Sequence, residues 1–137
     1  MTIAKLVFAL AAVSGGFMLV PDVLATDAPP PARPDPVRGS RLFLQCRACH
    51  TVAPGAANTV GPNLAGIFGT KAAMRSDYTY SAALTKSGIT WTPVVLNAFI
   101  KRPTAAVPGT KMGFAGVADA TARADLIAYL GTLKGKK

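Results

Sequence analysis

Cys46-Arg47-Ala48-Cys49-His50 is the stretch of sequence that decides the fold. The two cysteines are three positions apart, so on a helical turn they lie on one face. Both thiols can then reach the two vinyl groups of one haem, and His50 follows directly to ligate the iron from the same side. This spacing is typical of c-type haem attachment. It predicts one covalent haem c held by Cys46 and Cys49, with His50 as an iron ligand.

Three other interpretations of the cysteines are weaker. A redox-active pair of the thioredoxin type needs a βαβ context, which the sequence does not show. A disulfide between such near neighbours would close a very short loop and stabilise little. A zinc site would need four ligands, whereas the chain has two cysteines and one histidine.

The second axial position of the iron has two methionine candidates outside the N-terminal segment. His50 is the only histidine, so a bis-histidine site is excluded. Met112 ends Pro108-Gly109-Thr110-Lys111-Met112, whose proline and glycine allow the loop to curl back over a haem ring. Met74 is the second candidate, and a methionine can also simply fill a core. The loop favours Met112, and His/Met ligation suits electron transfer because the thioether raises the reduction potential.

Pro62 is the predicted partner of the other ring nitrogen of His50. Its carbonyl oxygen would accept the second imidazole N–H and so fix the tautomer of the ligand.

The first 36 residues carry targeting and linker signals. Residues 1–25 are predicted to be a secretory signal peptide, with Lys5 before an apolar stretch and a cleavage site after Ala25. An uncleaved membrane anchor is the alternative, although the stretch is short for a span and contains two glycines. Residues 26–36 read as an extended proline-rich spacer, or simply a disordered tail, which leaves residues 37–137 as the folded domain. The protein is therefore expected in the periplasm, membrane-anchored if residues 1–25 are retained.

Length and charge limit the classes of partner. The chain has 137 residues, enough for one domain. Fifteen Lys and Arg against six Asp and Glu give a net charge of +9, which favours anionic partners or membrane surfaces. The basic residues are scattered without an aromatic-interleaved patch, so nucleic acid is not an expected partner.

Hydrophobic spacing predicts an all-α domain with long loops rich in glycine and proline. No stretch shows the alternation typical of a strand. The predicted helices are Asp35–Gln45, Tyr80–Lys86, Thr92 to just before Pro103, and Asp119–Lys134, and the loops are 51–70 and Pro103–Gly116.

The sequence resembles a known family, the soluble class I cytochromes c, which include the mitochondrial-type cytochromes c and the bacterial cytochromes c2. The resemblance runs from about Val37 to Leu133. It rests on the haem string extended to Val52, on Gly61-Pro62-Asn63-Leu64, Tyr78-Thr79-Tyr80-Ser81, the Met112 loop and Asp125-Leu126-Ile127-Ala128-Tyr129-Leu130.

The resemblance implies a small cytochrome c fold, with short helices and long loops wrapped around one haem. It also implies a single-electron carrier rather than an enzyme, a monomer that shuttles between respiratory or photosynthetic membrane complexes. Its expected partners are a quinol–cytochrome c reductase and a terminal oxidase, reductase or reaction centre.

Particular residues acquire expected roles from the same resemblance. Gly39, Phe43, Leu126 and Tyr129 match the crossing of the first and last helices, and Arg123 matches a structural arginine. The residues expected around the haem are Tyr80 and Trp91 as hydrogen-bond donors to a propionate, Thr110 near the inner propionate and Phe114 beside the exposed haem edge.

Departures from the family pattern lie beside the haem and on the docking face. Thr70 replaces an arginine near a propionate, Phe99 a tyrosine, and Leu84 an asparagine. Because the last two are apolar, the internal water that these positions hold in the family is predicted to be absent or displaced.

The mitochondrial proteins surround the exposed haem edge with a ring of lysines, and this ring is incomplete here. Lys111 is kept, Arg41 and Arg47 are expected nearby, and the uncharged matching positions include Ser40, Gln45, Thr59, Thr104 and Ala105. Docking is therefore predicted to be weaker and less sensitive to salt than in the family.

Two rival functions remain open on the sequence. A haem peroxidase or gas-binding protein would have an open sixth position, but no second histidine is present to act as its acid–base group. A redox subunit of one dehydrogenase could be tethered by the proline-rich spacer.

Overall fold

The computed structural model describes residues 33–135, so the signal-peptide prediction and most of the spacer lie outside the described residues. Within this range the chain forms short helices joined by long loops and has no strand, only an isolated bridge between Lys71 and Thr90. No helix in the described range is long and apolar enough to cross a membrane. The elements are α1 (Pro36–Leu42), a 3-10 helix (Phe43–Ala48), α2 (Ala82–Lys86), α3 (Pro93–Lys101), α4 (Pro103–Ala106) and α5 (Ala120–Thr132).

Three helices begin where the sequence predicted, and each has a side-chain cap. A carboxylate oxygen of Asp35 accepts a hydrogen bond from the backbone N–H of Val37 at 2.8 Å, and Pro36 opens α1. Thr92 and Asp119 cap α3 and α5 in the same way. Such caps satisfy N–H groups that have no partner inside the helix. Asp35 and Pro36, which the sequence division placed in the spacer, are thus part of the first helix.

Other predicted bounds were wrong in detail. The first α-helix ends at Leu42 instead of Gln45, because the chain tightens there into the 3-10 turns that carry Cys46. The second begins at Ala82 rather than Tyr80, since Ser81 caps it through Leu84 N–H. The last ends at Thr132 instead of Lys134, where Leu133 becomes extended.

Part of the predicted Pro103–Gly116 loop is helical. Pro103 to Ala106 form α4, which begins at a proline preceded by the extended residue Arg102. Proline is well suited to the first helical position, where its missing N–H costs nothing. The loop prediction missed this turn because a proline that ends one helix can also occupy the first position of the next.

The crossing of α1 and α5 confirms the roles predicted for Gly39, Phe43, Leu126 and Tyr129. A Cβ atom on Gly39 would lie 2.8 Å from Cβ of Tyr129 and overlap the backbone of Asp125, so only glycine permits this approach. Phe43 and Leu126 are almost wholly buried, and the rings of Phe43 and Tyr129 lie 5.3 Å apart.

An ion pair between Arg38 and Asp125 stabilises the same crossing of α1 and α5. Arg38 donates through Nε to the buried carboxylate of Asp125 at 2.7 Å, and the backbone N–H of Asp35 donates to it as well. These hydrogen bonds, that of Arg38 first, hold the pKa of Asp125 below its ordinary value. The N-terminal end of α1 is thereby fixed to the middle of α5.

Arg123 is a structural residue, as predicted. Its buried guanidinium donates to Oδ1 of Asn97 at 2.9 Å and to the backbone carbonyls of Val117 and Ala118. It therefore joins α3, α5 and the loop between α4 and α5.

Candidate functional site

The hydrophobic core is arranged around a cavity of about 640 Å³. All of the buried core residues except Val107 line this cavity, among them Trp91, Leu96, Phe99 and Leu126. Protein interiors are normally close-packed, and a cavity deprives its lining of contacts. Its volume is that of a pocket for an organic ligand. The core therefore fits a large apolar group that completes it.

Both cysteines line this cavity on one side. Cys46 lies in the 3-10 helix, and the backbone N–H groups of Cys49 and His50 both donate to the carbonyl of Cys46, at 3.0 and 2.9 Å. The thiols are half-buried and form no disulfide. Burial, and then the neighbouring Cys49, raise the pKa of Cys46, whereas redox-active CxxC motifs depend on a lowered pKa. The geometry thus fits covalent attachment better than thiol exchange.

His50 is oriented by the backbone of the loop that follows it. Its Nδ1–H donates to the carbonyl oxygen of Pro62 at 2.7 Å, the contact that the sequence predicted. Burial lowers the pKa of His50, and the Pro62 bond raises it by less, so the ring is neutral at neutral pH. A neutral imidazole bonded through Nδ1 leaves the Nε2 lone pair to bind a metal.

Gly61 is a site residue whose role the sequence alone did not reveal. It is buried, and a Cβ atom there would lie 2.7 Å from Nδ1 and 2.9 Å from Nε2 of His50. Such distances are too short for a real contact, so the imidazole ring needs a glycine behind it. The Gly-Pro pair was the available signal, because the glycine leaves room for the ring and the carbonyl oxygen of the proline accepts a hydrogen bond from it.

Asn63 is a second residue whose function the sequence did not reveal. Its buried side chain donates to the carbonyls of Ala53 and Ala56 at 2.8 Å and accepts from the N–H of Ala65 at 2.7 Å. Further bonds tie the same loop together, including Gly61 N–H to the carbonyl of Cys49 at 2.7 Å. The loop that positions His50 is therefore held by its own hydrogen bonds.

Met112 lies on a loop that turns at Gly109, which has a φ of +86°. The Thr110 N–H donates to the carbonyl of Val107 at 3.0 Å, which closes the turn. Met112 is half-buried and packs against the core, whereas Met74, which also lines the cavity, is 65% exposed. The surroundings of Met112 are those of an inward-facing side chain.

The remaining predicted residues line the same cavity. The set comprises Tyr80, Trp91, Thr110 and Phe114, together with the departing residues Thr70, Leu84 and Phe99. The rings of Trp91 and Phe99 meet edge to face at 5.0 Å. The structure brings these residues together, and their roles toward a haem remain predictions.

The exposed part of the cavity lining carries few charges. Gln45, Val60 and Gly113 are exposed and uncharged, whereas Lys71 is exposed and forms no salt bridge with another described residue. The ammonium of Lys111 is engaged, since Nζ donates to the carbonyl of Thr79 and lies 4.4 Å from the centre of the Tyr78 ring. Arg75 is likewise paired with Asp77 at 2.9 Å.

Comparisons with known proteins agree with this site. Residues 36–134 match the family model described as cytochrome c. The chain is 47% identical over 108 residues to cytochrome c2 of Blastochloris viridis, covering 79% of this chain and 85% of that protein. It is 52% identical over 101 residues to cytochrome c2 of Rhodopila globiformis, covering 73% and 94%. Cytochrome cH from Methylobacterium extorquens superimposes with a TM-score of 0.67 at 42% identity, covering 72% of this chain and 98% of that one.

Proposed function

The chain belongs to the cytochrome c family, and from that premise we propose that it carries single electrons between redox complexes with His50 and Met112 as the axial ligands of its haem c. The protein is an electron carrier of the cytochrome c2 type rather than an enzyme. The observation that carries the ligand assignment is that Cys46, Cys49, His50 and Met112 line one apolar cavity.

Each of these residues has a distinct task. Cys46 and Cys49 would hold the haem through thioether bonds, and haem c, when bound, supplies a reversible one-electron iron couple. His50 would offer Nε2 to the iron, and Pro62 fixes the tautomer of the ring. Met112 is the better second ligand than Met74, because its side chain packs against the core and that of Met74 is largely exposed.

The composition of the cavity wall favours electron transfer over peroxide chemistry. Among the described lining residues there is no aspartate or glutamate, and His50 is the only histidine. A peroxidase needs a group that moves a proton between the two peroxide oxygens, and the described lining offers no histidine or carboxylate for this task besides the iron ligand. Apolar walls also exclude water, which lowers the reorganisation that accompanies a change of charge.

The expected location and partners follow from the relatives and the sequence together. We place the mature protein in the periplasm, with residues 1–25 removed as a signal peptide. The partners are membrane redox complexes, a quinol–cytochrome c reductase on one side and an oxidase, reductase or reaction centre on the other. Attachment to a single dehydrogenase through the spacer is the alternative, and retention of the mature protein in the membrane fraction would favour it.

The charge on the exposed lining residues of the cavity, its rim, affects how these partners bind. Gln45 and Val60 contribute no charge and Arg75 is paired with Asp77, so Lys71 and Lys111 are the charged lining residues that can face a partner. Electron transfer to an acidic partner should therefore fall less steeply with ionic strength than it does for a cytochrome with a full ring of lysines. A steep fall in rate with salt would contradict the weak electrostatic contribution of this rim.

Carbon monoxide binding separates the carrier from a gas-binding or peroxidase function. The protein is produced together with haem maturation factors, reduced, and exposed to carbon monoxide. A low-spin reduced spectrum that carbon monoxide leaves unchanged supports a filled sixth position. Rapid formation of a carbon monoxide complex by the native protein would overturn the electron-carrier proposal.

A further inference from the structure

The charged side chains of the cavity wall are all basic. Among the described lining residues they are Lys71, Arg75 and Lys111, and no carboxylate lines the wall. A haem carries propionate carboxylates, and a carboxylate in a largely apolar site costs free energy unless a cation or hydrogen-bond donors meet it. A propionate at this wall would therefore take its counter-charge from one of these three residues.

Arg75 is the most shielded of the three cations. Lys111 is exposed and already engaged by Thr79 and the Tyr78 ring. Lys71 is exposed as well, whereas the side chain of Arg75 is only 33% exposed. A charge that is partly removed from water acts more strongly on a neighbouring charge, so Arg75 would stabilise a propionate best.

Asp77 holds the guanidinium of Arg75 in a defined orientation. Nε of Arg75 donates to Oδ1 of Asp77 at 3.1 Å, and Nη2 donates to Oδ2 at 2.9 Å. These bonds use one edge of the guanidinium, and the described hydrogen bonds and salt bridges give Nη1 no partner. Because a guanidinium has five N–H donors, its second edge can bind another carboxylate while the first stays with Asp77.

Arg75 also lies beside Tyr80, which is expected to donate to a propionate. Burial raises the pKa of the Tyr80 phenol, whereas a hydrogen bond with the Arg75 backbone and the charge of Arg75 lower it by less. Both residues line the cavity. A cationic donor and a neutral donor are therefore present at the same part of the wall.

The backbone that leads to Arg75 is strained at Ala73. This residue has a φ of +59°, the one positive value among the described residues other than glycine. Just before it, the N–H of Ala72 donates to the carbonyl of Ile89 at 2.8 Å, and Ala73 itself lines the cavity. Strained backbone persists only where the surrounding structure maintains it, and it is concentrated at ligand-binding segments.

We propose that Arg75 pairs with a haem propionate through the guanidinium edge that Asp77 leaves free, and that this pairing raises the reduction potential of the iron. The inference rests on the proposed function, since it needs haem c in this cavity. Ferric haem carries one more positive charge than ferrous haem, so a nearby cation disfavours the oxidised state. Asp77 orients Arg75, and its own negative charge acts in the opposite direction.

Reduction potentials of the haem-loaded protein at pH 7 test this role. Arg75→Gln should lower the potential, and Asp77→Asn should raise it by a smaller amount. Both variants break the same ion pair, so a pair that only stabilises the loop would give two shifts of the same sign or none. Arg75→Lys keeps the charge but loses the two-edged geometry, and its potential should lie between those of wild type and Arg75→Gln.

Two further variants control for the loss of a positive charge as such. Arg102→Gln removes the same charge from an exposed residue outside the cavity lining and should leave the potential close to that of wild type. Lys71→Gln removes a charge from the exposed part of the wall and should shift the potential less than Arg75→Gln. A larger shift in either control than in Arg75→Gln would overturn the assignment to Arg75.

Nuclear magnetic resonance of the reduced protein tests the contact itself. We expect nuclear Overhauser effects between side-chain protons of Arg75 and the methylene protons of a haem propionate. A wild-type protein with a low-spin spectrum but without these effects would overturn the pairing and leave the electron-carrier function standing. A wild-type protein without low-spin haem would contradict the proposed function, and the pairing with it.

Discussion

The loop that carries His50 and the loop that carries Met112 line the same cavity, but the protein holds them in different ways. Residues 49–65 are joined by bonds across the loop, such as Leu64 N–H to the carbonyl of Thr51 at 2.9 Å and the three side-chain bonds of Asn63. In the described contacts of residues 108–114, the bonds are mostly between near neighbours, such as Phe114 N–H to the carbonyl of Met112 at 3.0 Å.

This difference indicates how the two ligands are presented. The His50 side is fixed by contacts within the protein, since Pro62 holds the tautomer of the ring and Gly61 leaves room for it. Among its described hydrogen bonds, the Met112 side has one to a distant segment, from Lys111 to Thr79. Its position should depend more on the bond between sulfur and iron.

The largest effect is expected from adding one carbon atom behind His50. Gly61→Ala places a Cβ atom against the imidazole ring and should cost about 1–3 kcal/mol of unfolding free energy, as overpacked cores do. The displaced ring should also lower the fraction of protein that carries low-spin haem. Denaturant unfolding and the optical spectrum measure the two effects.

Gly113→Ala is the matched control on the Met112 side. A Cβ atom there would meet nothing within 4 Å, so the change in stability should stay within about 0.5 kcal/mol. Equal losses for the two glycines would show that the two sides are equally constrained.

The next effect concerns the bonds within the His50 loop. Asn63→Ala removes three hydrogen bonds, leaves the carbonyl of Ala56 and the N–H of Ala65 without their partner, and should destabilise the protein by about 1–3 kcal/mol. Thr85→Ala, which removes an exposed bond to the carbonyl of Ser81, should change stability by less than about 0.5 kcal/mol. Thermal unfolding compares the two, and an Asn63→Ala protein as stable as wild type would contradict the role of these bonds in holding the His50 loop.

A smaller effect is expected on the Met112 side. Lys111→Met keeps the aliphatic chain but loses the hydrogen bond to Thr79 and the contact with Tyr78, an interaction of about 0.5–1 kcal/mol. Imidazole, which competes with Met112 for ferric iron, should bind about two- to five-fold more tightly. Lys86→Met, at the exposed end of α2, is the control and should not alter imidazole binding. No change in Lys111→Met would mean that this lysine does not hold the loop.

The smallest effect on the two ligand loops is expected from a change at Asp125. This residue lies at the α1–α5 crossing and does not line the haem cavity. The folded-state pKa of its carboxyl lies below the unfolded value of about 3.9, because Arg38 and the N–H of Asp35 bond the charged form. The carboxylate therefore stabilises the protein above about pH 4, and this contribution disappears as pH falls through the lowered pKa.

Urea unfolding of wild type and Asp125→Asn between pH 7 and pH 2 measures this contribution. The difference in stability should be present at neutral pH and vanish in acid, while the haem spectrum at neutral pH stays that of wild type. A difference that is independent of pH would show that the charge of Asp125 plays no part.

The sequence predicted the helix starts better than the packing behind the ligands. Starts at Pro36, Pro93 and Ala120 follow from local capping by Asp35, Thr92 and Asp119, which depends on residues only two or three positions away. The early end of α1 and the extra turn α4 depend on how the chain must pack beyond those positions. Local patterns do not contain that information.

The same contrast between local sequence signals and long-range packing holds for the haem site. The haem attachment site could be predicted from the cysteine spacing and the single histidine, because these three residues lie within five positions of one another. Gly61 and Asn63 act through the His50 ring and through carbonyls of another part of the loop, so no spacing rule reveals them. The engagement of Lys111 by Tyr78 and Thr79 joins segments more than 30 positions apart and became visible only in the structure.

The most direct test of the ligand assignment is the near-infrared band of the methionine–iron bond in the oxidised protein, compared among wild type, Met112→Ala and Met74→Ala. We expect wild type and Met74→Ala to show the band and Met112→Ala to lose it and become able to bind carbon monoxide when reduced. A band that survives in Met112→Ala, or that is lost in Met74→Ala, would contradict Met112 as the second ligand of the haem.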